Sequence, residues 1–130
     1  MAGFSDYLED KVLKHVFGGS AYTAPSTLYV ALYTVAPTDT GGGTEVSGGG
    51  YTRQTAAFTV SGTNPTQASN TAAIEYPTAT ANYGTVVAVG VFDASSSGNL
   101  MAYANLTSSK VVSTGDVFRF NAGDLDITLA

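Results

Sequence analysis

The change of pattern at Gly18-Gly19 constrains this chain more than any other feature. Before it, Phe4, Leu8, Val12 and Val16 recur every four residues, and Leu13 and Phe17 widen the apolar stripe. That spacing predicts one amphipathic helix. Ser5 or Asp6 is placed to cap its first amides, and Asp6 with Glu9 reads as a capping box. Asp10 and Lys14 form an i,i+4 pair in the favourable orientation. Gly18-Gly19 then stops the helix, because glycine reaches the left-handed cap conformation without a Cβ penalty. A helix this short is marginal alone in water, so its stripe must pack on the chain's own sheet or on another subunit.

After the glycines every apolar segment has strand character. Thr27 to Val35 alternates, with Leu28, Val30 and Leu32 on one face and Tyr29, Ala31 and Tyr33 on the other. Residues 36–50 form a long glycine-rich stretch, read as a flexible loop of the kind that often serves as a contact. Tyr51 to Val60 reads as a second strand and Ala72 to Tyr76 as a short third one. Gly84 to Phe92 reads as a buried central strand, turned by Asp93 to Gly98 into Leu100 to Leu106. Val111-Val112 begins a short strand before the turn at Thr114 to Asp116. Val117 to Phe120 and Leu125 to Leu129 complete the set, the last with Leu125, Ile127 and Leu129 pointing one way. The expected fold is mainly β: an antiparallel, jelly-roll-like β-sandwich of about seven or eight strands with a short N-terminal α-helix. The expected organisation is a helical arm over residues 1–19 and one β domain over 20–130, a length that suits a single core.

Charge and composition exclude several functions. Net charge is −5, and Lys11, Lys14, Arg53, Lys110 and Arg119 are scattered, which argues against a nucleic-acid partner. The charged fraction of 12% is about half the ~25% common in soluble domains, as fits a neutral surface covered by neighbours. There is no cysteine, which removes disulfides, zinc-thiolate sites and cysteine nucleophiles. No apolar run approaches the ~20 residues of a membrane span. The opening Met1 to Asp6 lacks the basic and apolar regions of a secretory signal, so synthesis in a cytoplasm is expected.

Catalytic, metal and cofactor sites are not expected. His15 is the single histidine and lies on the terminal helix, where it reads as a polar flank of the stripe. Asp124 and Asp126 are the one close acidic pair of the β region and read as solvated positions, with a weak calcium site shared with Asp93 or Asp116 as the alternative. The glycine triplets around Thr44 and Glu45 are not followed by the Gly-Lys-Ser/Thr of a phosphate loop. Eight tyrosines and six phenylalanines remain. Phe58, Phe92, Phe118 and Phe120 are assigned to the core, while Tyr22, Tyr29, Tyr33, Tyr51 and Tyr83 stay open as interface candidates. The interface set drawn from stripe and tyrosines together is Phe4, Leu8, Val12, Tyr29, Tyr33 and Tyr51.

The run from Phe4 through Gly19, the segments Ala21 to Pro25 and Leu28 to Tyr33, the stretch Pro37 to Tyr51, Gly90 to Ala94 and the ending from Gly115 through Gly123 together resemble a group of small tailed-bacteriophage proteins. These are usually labelled tail-fibre or minor structural proteins. The resemblance implies a virion component without catalytic residues, assembled with other virion proteins in the bacterial cytoplasm. Two placements follow. A compact sandwich with an arm and no repetitive shaft suits a capsid cement protein bound at symmetry axes beside the major capsid protein, as a dimer or trimer. That is the placement the architecture favours. The family label points instead to a tail fibre, tail tip or baseplate, and a glycan-binding module is a minor alternative.

Overall fold

The computed structural model describes residues 3–129. In chain order its elements are β1 (Gly3–Phe4), α1 (Asp6–Val16), β2 (Leu28–Val35), β3 (Thr44–Glu45), β4 (Gln54–Ala56), β5 (Phe58–Ser61), β6 (Thr66–Asn70), β7 (Ile74–Glu75), β8 (Gly84–Phe92), β9 (Leu100–Val112), β10 (Arg119–Phe120) and β11 (Asp126–Leu129). Every pairing is antiparallel. The mainly β architecture with one short helix among the described residues is therefore the fold, built from more strands than the seven or eight expected.

The principal sheet runs β1-β9-β8-β2-β3, and β4 shares the outer edge of β2 with β3. Two small sheets, β10-β7 and β11-β6-β5, supply the second layer. The core between layers holds Val30, Leu32, Val89 and Val91 from the principal sheet against Ile74, Tyr76, Phe118, Phe120 and Leu125. The alternation read for β2 is observed: Ala31 and Tyr33 point the other way, into a smaller cluster with Ala88, Phe92 and Leu100. Tyr76 reaches across the layers and its hydroxyl donates to the Val30 carbonyl at 2.8 Å, which satisfies a buried phenol.

Four segments depart from the expectation. The single strand read over Tyr51 to Val60 is divided at Ala57: β4 pairs with β2, whereas β5 pairs with β6. A strand that changes sheet makes a corner of the sandwich. β6 has no apolar periodicity, so it is invisible to pattern reading. It is held by buried Asn70, whose side chain donates to the Ala72 and Asn121 carbonyls and accepts from the Leu125 amide. β9 is one strand where two were expected, because its middle bulges. Ala88 lies opposite Asn105 and Val86 opposite Lys110, leaving Leu106 to Ser109 facing Val87 alone. The irregularity shifts the inward parity of β8, so that Val86 and Val89 reach the same core.

The glycine-rich stretch 36–50 is also tied down rather than free. β3 pairs with β2, Val46 is buried, and Thr38 and Gly41 exchange backbone bonds of 2.8 Å. Gly43 has φ +73°, and a Cβ there would lie 2.6 Å from the Val35 carbonyl oxygen. Glycine is required at that position on both counts. In the last strand Leu125 is buried and Ile127 packs on the core, while the expected inward position of Leu129 falls outside the described side chains.

Candidate assembly surface

The helix is seated on the chain's own sheet by its first turn. Phe4 belongs to β1 instead of the helix and lies opposite Ala102 of β9. Ser5 is the N-cap, accepting from the Leu8 amide at 3.2 Å, so the cap falls one residue before the Asp6–Glu9 box. The Ser5 hydroxyl also donates to the Leu100 carbonyl, and its amide donates to Met101 at 2.8 Å. Downstream, the Tyr7 and Tyr22 rings meet edge to face, and the Tyr22 amide donates to His15 Nδ1 at 3.0 Å. His15 thus fastens the chain that leaves the helix. Gly19, at φ +70°, lets the Gly18 and Ser20 amides both turn back to the Lys14 carbonyl at 3.0 Å. The Asp10–Lys14 pair forms at 3.0 Å.

This seating divides the apolar stripe. Tyr7, Leu8, Lys11 and Val12 are half-buried. Leu13, Val16 and Phe17 are 59%, 61% and 82% exposed. At roughly 100° per residue, Phe17 lies about half a turn around the axis from Leu8. Leu13, Val16 and Phe17 stand at i, i+3 and i+4 and form one convex patch. These three are absent from the interface set read from sequence. The signal was the width of the stripe, which is more than one packing face needs.

Of the six residues in that set, Phe4, Leu8 and Val12 are half-buried within the protomer. Tyr29 is half-buried at a shallow cleft that Tyr7, Tyr22 and Pro25 also line. Tyr33 is 4% exposed and stacks on Phe92 at 6.5 Å; burial pushes its phenol up to about 12. Tyr51 stacks on Tyr76 at 6.0 Å and meets Tyr83 edge to face. Its hydroxyl accepts from the Leu32 amide at 3.0 Å and donates to Glu45 at 2.8 Å, and burial raises its pKa. Tyr33 and Tyr51 lie on opposite faces of the principal sheet.

Beside them Arg53, with its side chain 7% exposed, grips Glu45 through Nε and Nη2, both at 2.9 Å. Its Nη1 donates to the Ala94 and Ser97 carbonyls, and its guanidinium lies 3.7 Å above the Phe92 ring. Burial alone would lower the Arg53 pKa, but the Glu45 bonds and charge outweigh it and the net shift is upward. This cluster ties β3, the segment that carries Arg53 and the turn that carries Ala94 and Ser97 together.

The acidic residues singled out from sequence are likewise engaged locally. Asp93 accepts from the Asn99 amide and side chain, Asp116 from the Ser113 amide, Asp124 from the Asn121 amide and Asp126 from Ser69. Among the described residues no three His, Asp or Glu side chains gather as a metal site. An open groove of about 900 Å³ lies between the bulged half of β9 and the segment 116–126. Its lips carry Val111 and Val117, both exposed. The exposed apolar end of α1 and this groove, lined by apolar and polar residues alike, are open surfaces of the protomer.

A comparison with curated proteins finds no match. The family described as Podophage GP4 fiber I protein gp80 matches residues 3–128, nearly the whole chain. The match favours the tail-fibre placement over the capsid-cement placement that architecture had favoured. By that match, the chain belongs to the Podophage GP4 fiber I protein gp80 family, a family of phage structural proteins.

Proposed function

We propose that this chain is a non-catalytic, globular module of a podophage tail fibre, held to neighbouring virion proteins by apolar contact. The observation that carries the reading is the family match over residues 3–128. The exposed end of α1 supports it, since Leu13, Val16 and Phe17 form an apolar patch that a free-standing domain has no reason to keep in water. The rigid loop clamp around Arg53 suits a part that transmits load rather than one that opens and closes.

Quantitative mass spectrometry on separated heads and tails of purified virions tests the proposal. A few copies per particle, all in the tail fraction, are expected. Hundreds of copies in the head fraction would overturn the tail placement and restore the capsid-cement reading.

A further inference from the structure

The cleft beside Tyr29 combines aromatic rings with uncharged hydroxyls. Tyr7, Tyr22, Pro25 and Tyr29 supply its apolar part, and Ser26, Thr27, Asp93 and Ser95 its polar part. It holds about 520 Å³ and is open to solvent. Among the described residues the exposed hydroxyls of Ser26, Thr27 and Ser95 have no partner within the fold. Asp93 is the one charged side chain of the described lining. Burial alone would raise its pKa, but the bonds from the Asn99 amide and side chain outweigh it and the net shift is downward. The carboxylate is therefore ionised and keeps lone pairs for a further donor.

The walls of the cleft are fixed within the protomer. His15 Nδ1 holds the Tyr22 amide at 3.0 Å, and the Tyr7 ring meets the Tyr22 ring edge to face. Tyr29 lies in β2, paired with Thr55 on one side and Phe92 on the other. Arg53 holds the Ala94 and Ser97 carbonyls, which sets the turn that carries Asp93 and Ser95. A site built in this way has little ordering cost left when a ligand enters.

We propose that this cleft binds an uncharged saccharide, one sugar ring resting on the tyrosines with its hydroxyls bonded to Asp93 and the Ser/Thr rim. The chemistry of the lining selects that class. An anion would meet the Asp93 charge with no lysine or arginine in the lining to offset it. A wholly apolar ligand would strip water from the carboxylate and hydroxyls and give them no bond in return. A sugar ring offers C–H groups to the electron-rich faces of aromatic rings and hydroxyls that both donate and accept around its edge. The inference goes beyond the proposed function. It is read on the isolated chain, so its failure is separable from a failure of the tail placement.

The test probes an array of immobilised hexose and deoxyhexose oligosaccharides, neutral, sulfated and carboxylated, with the full chain. Wild type is expected to bind neutral members. Tyr29→Ala removes the central ring and should lower binding tenfold or more, whereas Tyr29→Phe keeps the ring and should retain most of it. Ser95→Trp changes an exposed position and fills the cleft, so it should abolish binding with the thermal melt unchanged. That second variant keeps the test decisive if Tyr29→Ala is destabilised. Failure of wild type to bind any saccharide would overturn the inference, as would binding confined to the sulfated or carboxylated members. So would binding that Tyr29→Ala and Ser95→Trp both leave intact, since it would lie elsewhere on the chain.

Discussion

At the scale of single residues, a few polar side chains tie apolar layers together. Asn70 satisfies two carbonyls and one amide at the junction of β6 with β11. Arg53 spans Glu45, two loop carbonyls and a phenyl ring. Removing one partner of a buried ion pair strands the other. Glu45→Ala is therefore expected to cost about 2–3 kcal/mol, at or below the low end for a fully buried pair because Glu45 keeps some solvent contact. Adding Arg53→Ala should cost less than the sum of the single effects, by roughly 1–2 kcal/mol. Urea unfolding of both single variants and the double variant measures this; additive costs would show that the pair is not coupled. Tyrosine burial predicts the alkaline limit. Tyr33 titrates near 12 in the fold instead of 10, and Tyr51 and Tyr76 are also raised, chiefly by burial. Folding thus favours the neutral phenol. Its stabilisation is complete below pH 10 and is lost as pH rises towards 12. Melting temperatures should stay level through mildly alkaline pH and fall steeply above pH 10. A level profile past pH 12 would contradict the burial of these rings.

At the scale of elements, the N-terminal segment behaves as part of the sheet in its first turn and as a projection in its last. β1 adds to the edge of β9, and Ser5 and Asp6 make three hydrogen bonds to the body. Deleting residues 1–17 removes those three bonds. At about 1 kcal/mol each the loss is roughly 3 kcal/mol, or about 10 °C in melting temperature for a domain of this size. Calorimetry on the truncated chain should show that shift with the far-ultraviolet β signal kept; an unchanged melt would mean that the arm contributes nothing to the body. The element pattern also shows where pattern reading works. β2 and β8 are legible because both are long, apolar and alternating or fully buried. β6 is not, because Thr66 to Asn70 carries no apolar period and owes its strand form to partners on both sides. The break at Ala57 and the bulge of Leu106 to Ser109 are hidden for a related reason: a β-period continues unchanged while the strand changes its neighbour.

At the scale of the whole molecule, one principal sheet is covered on one face by two small sheets and held at one end by the helix. The apolar end of α1 and the mixed groove beside β9 are among the surfaces left open, and virion fractionation bears on what covers them. By itself the sequence determined whatever depends on near neighbours in the chain. That includes the helix and its glycine stop, the Asp10–Lys14 pair, the faces of β2, the central place of β8, the turn at Asp116 and the antiparallel β class. Only the tertiary structure decided which side of the helix is inside, that Tyr33 and Tyr51 stack within the protomer, and that the bulged strand opens a groove. Periodicity records that a residue seeks burial but not against what. The partner comes from distant parts of the chain, as when Ser5 bonds to Leu100 across 95 positions. Once that anchor turns Leu8 and Val12 inward, helical geometry leaves Leu13, Val16 and Phe17 facing out.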